Sequence, residues 1–243
     1  MTKVILFLWI PMCFFGDWIF WGLEEAMAGF DEERRSIEIS FETQQPVSVE
    51  CVYPVFSEQG SLVEYVNQAL THEATCWFDR IVQKERASKE GWEEGYGLYY
   101  ELSPVYYHPW LISIFGSEYQ GRGAHGCSYY KCKTFWQKKE GAILEVSLDD
   151  LFIQGSNYRQ WMLDYCEHAL KTSGYGYYSY RKELLPELNL EDLDTFVITN
   201  KGLMIIFRAY LVGGWGDGPD TITIPYADLK QWIAPQGPLQ ECF

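Results

Sequence analysis

The chain has 243 residues, 47% of them hydrophobic and 17% aromatic, and carries a formal charge of −15. That apolar content excludes an intrinsically disordered chain and is enough to build a sizeable core. The charge argues against a nucleic-acid binder, because phosphate backbones demand clustered Lys and Arg, and only 19 are present against 34 Asp and Glu.

The first element is an apolar run, Val4 to Phe15, preceded by Lys3. It is too short to span a bilayer alone but has the length of a signal-peptide core, and Ala26-Met27-Ala28 fits a small-residue cleavage site. Residues 1–28 are therefore expected to be a signal peptide. The alternative is an N-terminal membrane anchor from Val4 to Leu23, which would bury Asp17 at a cost. Seven cysteines are present: Cys13, Cys51, Cys76, Cys127, Cys132, Cys166 and Cys242. Loss of the leader leaves an even set, and an even set in an exported domain is expected to form disulfides. The pairing is left open. Cys127 and Cys132 point to opposite faces of a straight strand, so they are candidate halves of two separate bridges.

Past a polar entry, residues 36–43 alternate apolar and polar as a half-buried strand does, and residues 47–56 read as a second strand with Pro54 near its end. From Ser61 onward, Leu62, Val66, Leu70, Trp77 and Ile81 recur at helical spacing, with Ser61 and Glu64 at capping-box positions. Residues 88–97 are a Gly-rich acidic loop. Residues 98–120 follow as two strands divided near His108-Pro109, and residues 127–139 as another strand. Glu140-Gly141 turns the chain back into a pairing segment over 142–148. A second amphipathic helix is expected over 156–174, from its Ser cap to its Gly stop. Two Val/Ile/Phe-rich runs around Asn200-Lys201-Gly202 predict a hairpin. A loop with four glycines, residues 211–220, leads to a short strand over 221–226 and a final helical turn. The fold class expected is α+β, a mainly antiparallel sheet with two principal helices packed on it. Residues 32–234 form a single unit, and 235–243 a C-terminal tail.

Several motifs suggest chemistry. Gly121, Gly123 and Gly126 spell G-x-G-x-x-G, but that loop holds phosphate only where it opens a helix, and here strand-like sequence stands on both sides. His125, Cys127 and Cys132 lie close together yet lack the paired spacing of a zinc site. No G-x-S-x-G nucleophile elbow occurs. Asp149 with Asp150, or Asp217 with Asp220, could serve as an acid/base pair, although helix-start and turn roles explain them as well.

The order of certain pieces carries a resemblance: Gly123-Ala124-His125-Gly126, then Leu148-Asp149-Asp150-Leu151-Phe152, then Ile224-Pro225-Tyr226 with Leu229. In that order they resemble the RsiV-like secreted domain, a domain of unknown function of the 3298 type. It occurs in the lysozyme-binding ectodomain of the anti-sigma-V factor and beside some peptidoglycan deacetylases. The likeness runs from about Val49 to Ile233. It implies an exported, non-catalytic binding or sensor module of the cell envelope. The ligand implied is a basic protein such as lysozyme or a cell-wall component, with contact to the membrane only through the N-terminal segment. No cofactor and no metal are expected. The binding residues expected are Tyr210, Trp215, Gly216 and Asp217, because a Trp in a Gly-rich loop can anchor a partner. Gly123, His125 and Gly126 are expected to form a structural turn. The rival expectation is a secreted cell-wall glycan hydrolase using paired carboxylates.

Overall fold

The computed structural model describes residues 30–40, 46–87, 96–122, 125–172, 187–208, 211–212 and 220–242. The expected leader, the Gly-rich loop around Trp215 and the segment 173–186 lie outside these residues, as does most of the acidic loop at 88–95. Strand β1 (Phe30–Ile39) pairs antiparallel with β2 (Val47–Phe56). Helix α1 (Ser61–Ala87) then crosses over the sheet, so that β3 (Tyr96–His108) lies parallel to β2. This is the single parallel pairing among the described strands, and a parallel pair needs a long crossover of this kind. The remaining strands of the sheet pair antiparallel. They are β4 (Leu111–Arg122), β5 (His125–Tyr130), β6 (Lys133–Gln137) and β7 (Ile143–Glu145), with β5 and β6 both paired to β4.

The mainly antiparallel α+β reading holds, and several boundaries sharpen. β1 begins at Phe30, because the charged stretch Asp31 to Arg35 forms an exposed edge strand and is not a loop entry. Charge on an edge strand suits it, since it discourages pairing with other chains. The single strand expected over 127–139 is interrupted at Lys131 and Cys132. The pairing on either side, Ser117 with Tyr130 and Ile114 with Lys133, nevertheless keeps one register. Gly116 permits the join: a Cβ there would lie 2.3 Å from the Lys131 carbonyl oxygen, whose residue donates its N–H to Gly116. The capping box at Ser61 is not formed. The Glu64 N–H donates to the Gly60 carbonyl at 2.9 Å, while the Ser61 hydroxyl accepts from the Gln137 side chain.

A second sheet of three antiparallel strands contains β8 (Phe196–Ile198), β9 (Gly202–Phe207) and β10 (Asp220–Pro225), in the order β10-β9-β8. The expected turn sits between β8 and β9, where the Thr199 hydroxyl accepts from the N–H groups of Lys201 and Gly202. Helix α2 (Tyr158–Thr172) and the short helix α3 (Tyr226–Leu229) pack on this part.

The second sheet packs against the large sheet along strand β4. Its residues alternate between faces, as the period of a strand requires. Ile112 and Ile114 join the core under α1, while Leu111 and Phe115 join clusters formed with the second sheet. Between them Ser113 is fully buried. Its hydroxyl meets Thr134 at 2.9 Å and accepts from the Ile198 backbone N–H at 3.0 Å, joining β8 to β4. Val66, Leu70 and Ala74 of α1 are wholly buried against Val47, Val49 and Cys51 of β2. Each such Val or Leu contributes on the order of 1.5–3 kcal/mol. The described residues contain no helix long and apolar enough to cross a membrane.

Candidate functional site

The large sheet has two faces of different character. Leu98, Tyr100 and Leu102 of β3 point under α1, so Gly97, Tyr99 and Glu101 point the other way. By register, Ser117, Tyr119 and Gly121 of β4, Gly126, Ser128 and Tyr130 of β5, and Ser48 and Glu50 of β2 share that second face. The second sheet covers only one end of it, where Val105, Phe115, Val197 and Ile206 form a small core with Tyr130 against its edge. Among the described residues no element covers the other end, which carries Tyr99 and Tyr119.

The glycines of the G-x-G-x-x-G motif explain this uncovered end. Gly121 of β4 pairs with Gly126 of β5, and Gly97 of β3 lies on the far side of β4. A Cβ at Gly126 would stand 2.1 Å from the Tyr119 hydroxyl, one at Gly121 would stand 3.1 Å from the same ring, and one at Gly97 would stand 2.4 Å from the ring of Tyr99. Without side chains, the three glycines form a floor across which the two tyrosine rings lie, 6.1 Å apart between centroids. Rings that lie down present a broad amphipathic surface, and Tyr99 is 38% exposed. The rim is polar: Arg34 bridges Glu50 at 2.7 Å, and the Ser103 hydroxyl donates to Glu101. Sequence reading isolated the glycine motif but not Tyr99 or Tyr119. The signal was the period-two pattern Gly97-Tyr99-Glu101 beside Tyr119-Gly121, and only the register brings the two together.

Of the expected structural turn, Gly126 is instead a strand residue and part of this floor. Gly123 lies outside the described residues. His125 contributes a backbone pairing with Arg122, and its side chain also lies outside the description. Tyr210, Trp215, Gly216 and Asp217 are likewise outside. The base of their loop is described: Phe207 pairs with Asp220 where β9 and β10 meet. Burial raises the Tyr130 pKa, a hydrogen bond with Ser128 opposes this, and neighbouring Cys127 and Asp220 add to it.

The face under α1 also holds polar groups, and several of them pair with one another. The Tyr100 hydroxyl donates to Glu73 at 2.6 Å, Glu73 bridges Lys133 at 3.2 Å, and Lys133 bridges Glu145. Burial first, and Glu73 second, push the Tyr100 phenol well above its usual range. Buried Glu118 accepts from Gln120 at 2.9 Å and from Lys131 at 3.2 Å. Burial works to raise its pKa, but hydrogen bonds led by that from Gln120 outweigh it and hold the carboxyl below the ordinary value. This network fastens α1 to the sheet.

The disulfide expectation is not met among the described residues: Cys51, Cys76, Cys127, Cys132 and Cys166 are all free thiols. Their positions account for this. Cys51 belongs to the core under α1, Cys166 to the core around α2, Cys132 borders the small cluster between the sheets, and Cys76 is exposed on α1. Burial pushes the thiols of Cys51, Cys132 and Cys166 up to about 12, which leaves them unreactive. The side chain of Cys242 lies outside the description. The described residues gather no set of three or more metal-ligating side chains, and the His125 side chain lies outside them.

The paired carboxylates are engaged structurally. Asp150 accepts from the Ser147 N–H at 2.8 Å and from its hydroxyl at 2.6 Å, closing a 3-10 turn over Leu148–Leu151. Asp149 accepts from Arg159 at 2.9 Å and from the Tyr158 hydroxyl. Arg159 also bridges Asp194 at 2.9 Å, tying α2 to the turn that precedes β8. The Arg159 bond, followed by that of Tyr158, holds the Asp149 carboxyl below its ordinary pKa. Asp220 is buried on β10, and Asp217 is outside the described residues.

Comparison with known proteins places part of this architecture. No curated protein matches the chain. Its fold is similar to that of a crystal structure of a DUF3298 family protein from Pseudomonas aeruginosa PAO1. The two share 18% identity and a TM-score of 0.63, with 86% of this chain and 96% of that chain covered. It is also similar to a member of the DUF3298 family from Bacteroides fragilis NCTC 9343, at 16% identity and a TM-score of 0.54, with 88% and 96% covered. Residues 149–227 match the family model described as a protein of unknown function (DUF3298). That segment takes in Asp149-Asp150-Leu151-Phe152 and Ile224-Pro225-Tyr226, and it begins after the glycine floor. A DUF3298 domain is thus present at residues 149–227, within a fold shared with two solved proteins of that family.

Proposed function

We propose that the protein is a non-catalytic binding module of the RsiV-like type, acting outside the cytoplasm on a basic protein such as lysozyme or on a cell-wall component. The observation that carries this reading is the composition of the uncovered sheet end. Tyr, Ser and Gly dominate it, the residues that give rigid, amphipathic contact area at low entropic cost in paratopes. Tyr99 and Tyr119 are the anchors, and Tyr210, Trp215, Gly216 and Asp217 are the further contact residues that the sequence pattern of a Trp in a Gly-rich loop supplies. The acidic balance of the chain suits a basic ligand and speeds encounter with it. Against a hydrolase stands the condition of the carboxylates: Asp149 is held as the anion by Arg159 and Tyr158, and Asp150 is engaged by Ser147 in a turn.

The test immobilises the full chain and measures binding of hen egg-white lysozyme and of insoluble peptidoglycan. Tyr99→Arg and Trp215→Ala are compared with the parent. Saturable binding to either ligand, lost in both variants while Tm is unchanged, supports the reading. Release of glycan fragments by the parent protein, or binding insensitive to both substitutions, overturns it.

A further inference from the structure

A second aromatic cluster lies away from the tyrosine face, at the seam between α2 and the C-terminal turn. Trp161 is central. Its ring lies 5.4 Å from that of Tyr165, one helical turn further along α2, and 6.2 Å from that of Trp232. The planes are tilted by 42° and 41°, so the three rings do not stack into a closed layer. All three are half-buried at the margin of the core around α2. Trp232 is pinned through its backbone, donating to the Leu229 carbonyl and accepting from the Ile153 N–H, both at 2.8 Å.

Two exposed carboxylates flank the rings. The Tyr165 hydroxyl donates to Asp228 of α3 at 3.4 Å. Asp164 follows Trp161 by three residues, on the same stripe of α2, and accepts from Gln160 at 2.9 Å. The faces of indole and phenol rings are negative, and carboxylates beside them deepen that potential. Elsewhere the chain fills such positions from within: Lys131 lies over Tyr100, Lys138 over Trp136 and Arg159 over Tyr158. Among the described residues, no cation–ring contact falls on Trp161, Tyr165 or Trp232.

We infer that Trp161, Tyr165 and Trp232, with Asp164 and Asp228, form a seat for an alkylammonium or guanidinium group supplied by a ligand. The chemistry common to such ligands is a weakly hydrated cation on an apolar stem, as on a lysine or arginine side chain. The site does not rest on the tyrosine face, and Tyr99→Arg leaves it intact.

The experiment uses the full chain labelled with nitrogen-15. The indole N–H signals of Trp161 and Trp232 are assigned from Trp161→Phe and Trp232→Phe. Tetramethylammonium, a tri-lysine peptide and chitotriose are titrated separately. Saturable shifts of both signals are expected with the two cations, the tri-lysine affinity falling with added salt. Trp161→Ala is expected to weaken binding about tenfold. Asp164→Asn with Asp228→Asn, which keep all three rings, are expected to weaken tri-lysine binding severalfold and flatten its salt dependence, so the inference survives a failure of Trp161→Ala to fold. Shifts with chitotriose alone would reassign the cluster to a glycan. Absence of saturation by either cation, or full affinity in the double Asn variant, would overturn the inference.

Discussion

The two faces of the large sheet are made by the same strands, yet they solve different problems. Beneath α1 strands β2, β3, β4 and β6 contribute large side chains, and Tyr100, Glu73 and Lys133 pair with one another. On the opposite face, at the end the second sheet does not reach, bulk is absent from the backbone and supplied by two tyrosines lying flat. One face is specified by packing, the other by the absence of Cβ atoms. A glycine therefore has different weight on each: Gly116 admits a neighbouring backbone, whereas Gly126 admits only the tip of a ring.

Substitutions can break this contrast, and the largest effect belongs to the packed face. Leu70→Ala leaves a cavity at a fully buried position and is expected to cost about 2–5 kcal/mol in urea unfolding. Gly116→Ala is expected to cost about 2–3 kcal/mol, because its Cβ would meet the Lys131 carbonyl, which cannot move without breaking the join of β5 to β6. Tyr100→Phe leaves Glu73 without its hydroxyl donor and is expected to cost about 1–2 kcal/mol by the same measurement. Gly126→Ala should cost only about 1 kcal/mol, since Tyr119 can swing aside, and Tyr119→Ala in the same chain should recover most of that loss. Equal losses at Gly116 and Gly126 would remove the distinction between the faces. The smallest effect is Tyr99→Ala, expected to stay within about 0.5 kcal/mol of the parent, since an exposed ring contributes little to folding.

Acid sharpens the same contrast. Glu118, under α1, has a folded pKa below its ordinary 4.5. A depressed carboxyl contributes stability that is complete above the unfolded value and is lost as pH falls through the folded one. Denaturation midpoints should therefore decline below about pH 4.5, and Glu118→Gln should make that decline shallower.

Much of the fold was legible because its signals are local. The helical spacing from Leu62 to Ile81, the break at His108-Pro109 and the hairpin around Gly202 each lie within one short window. What escaped depended on distant partners. Ser61 has the right neighbours for a cap, but Gln137, on β6, takes its hydroxyl. Asp31 to Arg35 look like a loop because an edge strand with charges on both sides loses its alternation. The glycine motif was visible at once, but its meaning required the register that sets Gly121 opposite Gly126 and both beneath Tyr119. Among the described residues cysteine parity misled, because it counts thiols without regard to position: Cys51 and Cys166 lie in different cores and Cys76 on the surface.

The parallel pairing of β2 with β3 carries a kinetic consequence. Val47 meets Tyr96 only after the whole of α1 has been made and folded back, so the chain must close a long loop before that ladder can form. Until then β2, the apolar strand from Val47 to Phe56, can be shielded on one side by the β1 hairpin while its other edge stays open. The charges of β1 protect the finished molecule but not this intermediate. A chain arrested after α1 would present that open edge to its neighbours, and it is there that self-association during synthesis or refolding would begin.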